Sequence, residues 1–288
     1  MLSPQYCLVL GIILSFFLVK KSHQDLAKKR SSQLLQVSII LLGASLNFYS
    51  VLAQGISGVV VTFISILTVF ILGYAGYKIL KVDPKQGLLI TIGTAICGGS
   101  AIGALAPVIQ AESLAITVSI GIVFLLNALA VFIFPPLGHF FELDQSQFGY
   151  WAALAIHDTS SVVAASSIYG EEALKVATTV KLIRALWIIP VTLCFSIFSK
   201  NTDKKITIPW FVFGFLVVSI LFTFTDFLAP YKDLVTVLAK NGFAITLFLI
   251  GLTFNFSQVK KVGVRPLALG IGLWIVVSSL SLIYIKYN

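Results

Sequence analysis

His157 and Asp158 stand side by side in the middle of an apolar run, followed by Thr159, Ser160 and Ser161. Ionisable residues within a membrane-length segment are costly and mark ion or proton pathways. Imidazole titrates near neutrality, so the pair can carry a proton. Asp158 or Thr159 can also cap a helix that starts there, which predicts a break in the run. Lys181 and Arg184 lie three residues apart, on one face of a helix. Each is about 12 Å or more from the ends of its apolar run, at 1.5 Å per residue, too deep for both to snorkel. They can neutralise Asp158 or bind an anionic substrate, Arg184 offering a planar fork to an oxyanion. A third stretch, residues 91–107, is apolar but holds Gly98-Gly99 near its centre, followed by Ser100, a good N-cap. Two half-helices meeting around Cys97, Gly98, Gly99 and Ser100 are expected, the alternative being one helix packed closely through its small residues. Broken helices at membrane depth are tolerated where they line a cavity, and in transporters they often form the substrate site.

The elements that carry these residues follow from composition. The chain has 288 residues, is 58% hydrophobic and only 11% charged, and has a mean hydropathy of +1.01. Soluble proteins carry about 25% charge, so this is a polytopic membrane protein, read as one transmembrane domain over residues 1–288. The apolar runs have the length of helices, not of the short alternating strands of a barrel. A net charge of +9 suits cytoplasmic loops and gives no reason to expect nucleic acid. Cys7, Cys97 and Cys194 are isolated in apolar runs, and His23, His139 and His157 are scattered, so neither a disulfide framework nor a metal site is expected. The first apolar run has no basic residue before it and no cleavage pattern, so it reads as a retained helix.

Ten spans fit the pattern: 4–19, 33–52, 57–79, 87–111 (broken), 114–137, 148–169, 173–198, 208–228, 233–256 and 266–285. With the N-terminus outside, fourteen of the twenty Lys and Arg fall on the inner side, at 20, 21, 28–30, 78, 81, 85, 200, 204, 205, 260, 261 and 265. Such a bias marks the cytoplasmic face and puts both termini outside. Leu42-Gly43-Ala44-Ser45-Leu46-Asn47-Phe48 is echoed by Ile250-Gly251-Leu252-Thr253-Phe254-Asn255-Phe256, a hint of an internal repeat. Asn47, Asn127 and Asn255 read as helix-packing hydrogen bonders.

Four ordered motifs together resemble the YeiH-like family, whose members are usually labelled sulfate exporters. Gly93-Thr94-Ala95-Ile96-Cys97-Gly98-Gly99-Ser100-Ala101-Ile102 is similar to its first signature, with Ala95 and Gly99 in place of Ser and Ala. Ile156-His157-Asp158 with Val162-Val163-Ala164-Ala165 is similar to the second, Ser161 standing where many members have Gln. Val180-Lys181-Leu182-Ile183-Arg184 is similar to the third, and Gly251-Leu252 with Asn255 to the last. Ser3-Pro4 resembles the start of the usual second helix, which implies one N-terminal helix fewer than is common in the family. The family looks related to the cation/proton antiporter and bile-acid transporter superfamily. That resemblance implies a secondary transporter with inverted repeats and two crossing broken helices.

The expectation is thus an all-α inner-membrane protein of about ten spans that transports a small anion, sulfate or organic, by alternating access, and is not an enzyme. Cys97, Gly98, Gly99, Ser100, Thr159, Ser160, Ser161 and Arg184 are expected to bind the substrate, with Ser100 and Thr159 close together. His157, Asp158 and Lys181 are expected to couple transport to protons or sodium. No cofactor is expected, the bilayer is the other partner, and a homo-oligomer is an allowed assembly. The alternative is a cation/proton antiporter with Asp158 as the ion ligand.

Overall fold

The structure, a computed structural model, describes residues 4–17, 21–198, 209–252 and 263–287. It is all-helical over these residues: α1 (Pro4–Phe17), α2 (Lys21–Leu42), α3 (Phe48–Ile79), α4 (Pro84–Ala95), α5 (Gly99–Leu105), α6 (Ser113–Phe140), α7 (Gln145–Ala155), α8 (Thr159–Tyr169), α9 (Glu171–Leu186), α10 (Ile188–Phe198), α11 (Trp210–Phe224), α12 (Lys232–Leu252) and α13 (Val264–Tyr287). Five stretches are long and apolar enough to cross a membrane: Gly58–Ile79, Ser113–Phe140, Glu171–Ile197, Asp226–Leu252 and Val264–Tyr287. Large apolar side chains such as Ile64, Ile71, Phe132, Ile275 and Ile283 point away from the protein, as lipid-facing surfaces require.

The chain forms two compact units. The first, within Met1–Gln54 and Pro209–Phe256, packs α2 and α1 against α12, and α11 against α2. Small residues let these backbones approach: a β-carbon on Gly11 would lie 2.2 Å from the Phe248 carbonyl oxygen. Asn47 accepts a hydrogen bond from the Tyr49 amide (2.8 Å), so its side chain caps the start of α3. The matching half of the sequence echo, 253–256, lies outside the described residues.

The second unit, Gly55–Ile208 with Ser257–Asn288, holds every candidate site residue. Here the fold departs from the sequence reading. The stretches 87–111 and 148–169 are not broken spans; each is a hairpin of two half-helices. In the first, α4 starts at an Asp83 cap that accepts from the Gln86 amide (3.0 Å), with Pro84 in its first turn. It ends at Ala95, and α5 then folds back beside it. A β-carbon built on Gly93 would touch Ile102 at 2.9 Å, and the Lys85 ammonium donates to the Gln110 carbonyl (2.9 Å). Collinear half-helices would set Lys85 and Gln110 more than 30 Å apart, at 1.5 Å per residue. The second hairpin starts at an Asp144–Gln147 capping box, runs in along α7 and returns along α8. Tyr169 stacks on Phe148 with ring centroids 3.8 Å apart and donates to the Leu143 carbonyl. The Gln145 side chain accepts from the Glu172 amide (3.0 Å).

α6 joins the hairpins and orders them. Near its start Ser119 donates to the Gln86 carbonyl (3.5 Å), at the open end of the first hairpin. Near its end His139 stacks on Tyr169 (4.4 Å), at the open end of the second. The hairpins therefore enter the unit from opposite ends. Arms of 11 or 12 residues extend about 16–18 Å. That is about half the roughly 30 Å of a hydrocarbon core.

This arrangement predicts a labelling pattern that a ten-span path does not. Single cysteines at Lys85 and Glu112, both exposed, should react with a membrane-impermeant reagent from the same side. Cysteines at Ser146 and Glu172 should react from the other. Lys85 and Glu112 reacting from opposite sides would restore the ten-span path.

Candidate functional site

The two hairpin tips meet. The first tip is Ile96-Cys97-Gly98, the second Ile156-His157-Asp158. Gly98 has φ +65° and ψ −129°, a conformation that side-chain-bearing residues rarely adopt, and it caps α5. Ser100, expected to be that cap, lies one residue inside α5 and is exposed. A β-carbon on Gly98 would sit 3.4 Å from the Asp158 β-carbon and 3.2 Å from Val123 on α6. The tips thus touch through Gly98 and Asp158. Thr159 is buried, while Ser160 and Ser161 are half-buried in the first turn of α8.

Asp158 is the N-cap of α8: its carboxylate accepts from the Ser160 amide (3.0 Å) and from the Ser160 hydroxyl. One turn beyond Val123, Asn127 lies at the midpoint of α6 and completes the tip. Its Oδ1 accepts from the His157 amide (3.1 Å) and the Asp158 amide (3.2 Å), two donors that no helix supplies with an acceptor. Asn127 Nδ2 and both ring nitrogens of His157 are buried without a hydrogen-bond partner. Sequence reasoning missed this role, because a lone Asn in an apolar helix reads as packing; its place at the helix midpoint was the available signal.

Lys181 and Arg184 share a face of α9, as their spacing predicts, and both are fully buried. Their partners are main-chain carbonyls. The Lys181 ammonium donates to Ile156 (2.7 Å) and Ala153 (3.2 Å). Arg184 Nε donates to Ala95 (2.7 Å) and Nη2 to Thr94 (3.1 Å). Its Nη1 donates to Ala153 (3.3 Å) and to Leu154. One guanidinium therefore ties the end of α4 to the end of α7. The last carbonyls of a helix lack intrahelical partners and carry the negative end of its dipole, which cations complement. The fork expected to face an oxyanion is turned onto backbone, and neither cation's hydrogen bonds reach Asp158.

The junction thus has a defined electrostatic order. Both ingoing arms end in carbonyls covered by basic side chains. Both returning arms begin in amides, and at α8 the Asp158 carboxylate covers them. Cys97 is a buried free thiol at the first tip. Among the described residues no group of three His, Cys, Asp or Glu side chains could hold a metal ion.

The chain matches the model of the family described as conserved hypothetical protein 698 over residues 2–270. A UPF0324 membrane protein from Bacteroides thetaiotaomicron is 44% identical over 287 residues, 99% of this chain and 87% of its own. One from Bdellovibrio bacteriovorus is 44% identical, over 97% of this chain and 88% of its own. One from Vibrio parahaemolyticus is 43% identical, over 97% and 92%. No solved structure matches the chain.

Proposed function

Since the chain belongs to the conserved hypothetical protein 698 family of multi-pass membrane proteins, we propose that it is a secondary active transporter of a small anion. The observation that carries this reading is the tip-to-tip meeting of two hairpins beside the midpoint of α6. Interrupted backbone at that depth is tolerated where it lines a cavity or a substrate path. A hairpin followed by a span occurs twice, α4–α5 with α6 and α7–α8 with α9–α10, in opposite directions. This supports an inverted repeat with the site at its interface, and alternating access around it.

In this reading Cys97, Gly98, Gly99 and Ser100 on one tip and Thr159, Ser160 and Ser161 on the other surround the anion. Helix-start amides and hydroxyls suit it. Arg184 and Lys181 lock the carbonyl ends; Arg184 is a positioning residue that supplies fixed positive potential, and Lys181 shares the coupling with Asp158. Asp158, with His157 beside it, couples transport to protons or sodium. On this reading the chain crosses an inner membrane eight times, the two hairpins adding none, and the excess of Lys and Arg in the connecting stretches assigns both termini to the outside. The single carboxylate at the junction favours one second reading, a cation/proton antiporter with Asp158 as ligand.

Flux in proteoliposomes tests both. The anion reading expects saturable uptake of labelled sulfate, or of another small anion in competition with it, driven by an imposed proton or sodium gradient. Sodium-dependent proton movement that needs no anion would select the antiporter. Absence of both would remove the transport reading.

A further inference from the structure

We infer that the Asp158 carboxylate is a built-in competitor of the substrate anion, and that a proton on Asp158 hands the anion its donors. This rests on the anion-transport reading above and concerns the same site. The donors at the start of α8 are already engaged: Ser160 gives both its amide and its hydroxyl to Asp158. A charge-assisted hydrogen bond of this kind is roughly twice as strong as a neutral one. An incoming anion therefore meets occupied donors and a like charge. A second feature shows that the tip is built for a further acceptor. Asn127 is 97% buried by its 3% exposure, its Oδ1 is committed to two amides, and its Nδ2 has no partner. Leaving a buried donor unpaired costs about 1–3 kcal/mol. An anion at the α8 start, beside the Asn127 amide, would meet that donor and the released Ser160 groups together.

The sign follows. An ionised Asp158 excludes the anion; a neutral carboxyl competes weakly and repels nothing. Anion and proton therefore favour each other's binding, and by reciprocity each strengthens the other to the same extent. One proton accompanies each anion, in the same direction. Other titratable and charged groups face the carboxylate: Lys181 from α9 and Cys97 from the first tip lie within electrostatic range of it. His157 is its chain neighbour, Arg184 lies one turn from Lys181, and α6 contributes the uncharged Asn127.

Sulfate binding to the purified full chain in detergent, followed by thermal shift between pH 6 and pH 8, decides the matter, with phosphate and acetate in parallel. The parent should bind more tightly as the pH falls, by no more than about tenfold per pH unit, the limit of a one-proton linkage. Asp158→Asn keeps an N-cap oxygen and should bind independently of pH, at least as tightly as the parent at pH 6. Should Asp158→Asn fail to fold, proton uptake on adding sulfate to the weakly buffered parent gives the same answer, one proton per bound anion. A pH-independent parent, weaker binding in Asp158→Asn, or a pH dependence that survives in Asp158→Asn overturns the inference and leaves anion transport standing. If none of the three anions binds parent or variant, the anion-transport reading fails, and the inference with it, leaving the antiporter reading to the flux measurement.

Discussion

Arg184→Lys should destabilise the protein by about 3–5 kcal/mol, although the charge is kept. The guanidinium reaches Thr94 and Ala95 on one hairpin and Ala153 and Leu154 on the other, with no exposed surface. An ammonium is a point charge at the end of a flexible stem and cannot span both sets of carbonyls. At least one arm is left with buried, unpaired acceptors, each worth about 1–3 kcal/mol. At roughly 2–4 °C per kcal/mol for a chain of this size, the melting midpoint of the detergent-purified protein should fall by about 10 °C. If Arg184 instead held the substrate, Arg184→Lys would keep its midpoint and lose anion affinity. That result would return it to the binding site.

Gly98→Ala should reduce transport at least tenfold, whereas Gly99→Ala next to it should leave folding nearly intact and reduce transport far less. At Gly98 the backbone has φ +65°, and a methyl group would press on Val123 and Asp158 at 3.2 and 3.4 Å. Forcing an alanine into that conformation costs on the order of 1–3 kcal/mol. The relief available is a shift of the first tip away from the second, which separates the groups proposed to surround the substrate. Gly99 already lies in α5, and its added methyl would meet only the Phe124 ring, at 3.3 Å. Alanine is the better helix former there. Uptake and melting midpoint, measured for both variants, check the contrast. Equal tolerance of the two changes would mean that the tip contact is incidental to function.

Both breaks were readable in the sequence, because Gly98-Gly99 and His157-Asp158 cannot continue an apolar helix without cause. The direction of the chain after each break was not. A hydropathy window of about 25 residues has the same content whether two half-helices lie end to end or fold back. Charge segregation could not discriminate either. Reversing the paths of 87–111 and 148–169 changes the side of 111–113 and of 138–147, and neither stretch contains a Lys or Arg. The fourteen basic residues therefore stay together under both paths. The cues were local: Asp83-Pro84 and Asp144-x-x-Gln147 start arms that run only 12 and 11 residues before the break. Lys181 and Arg184 were correctly placed on one face, but a spacing of three says nothing about what that face meets. Carbonyls at the ends of two other helices become partners only once the hairpins have folded.

The anchoring by Arg184 divides labour within each hairpin. Its hydrogen bonds fall on the ingoing arms, α4 and α7, and none falls on α5 or α8. The returning arms differ in turn. α8 starts at a side-chain cap and buries Val162, Val163, Ala164, Ala165 and Ser166. α5 has seven residues, starts without a side-chain cap, buries Ala101, Ile102, Ala104 and Leu105, and leaves Ser100 and Gly103 uncovered. One side chain thus pins two of the four arms, and a returning arm can shift without breaking any of its hydrogen bonds.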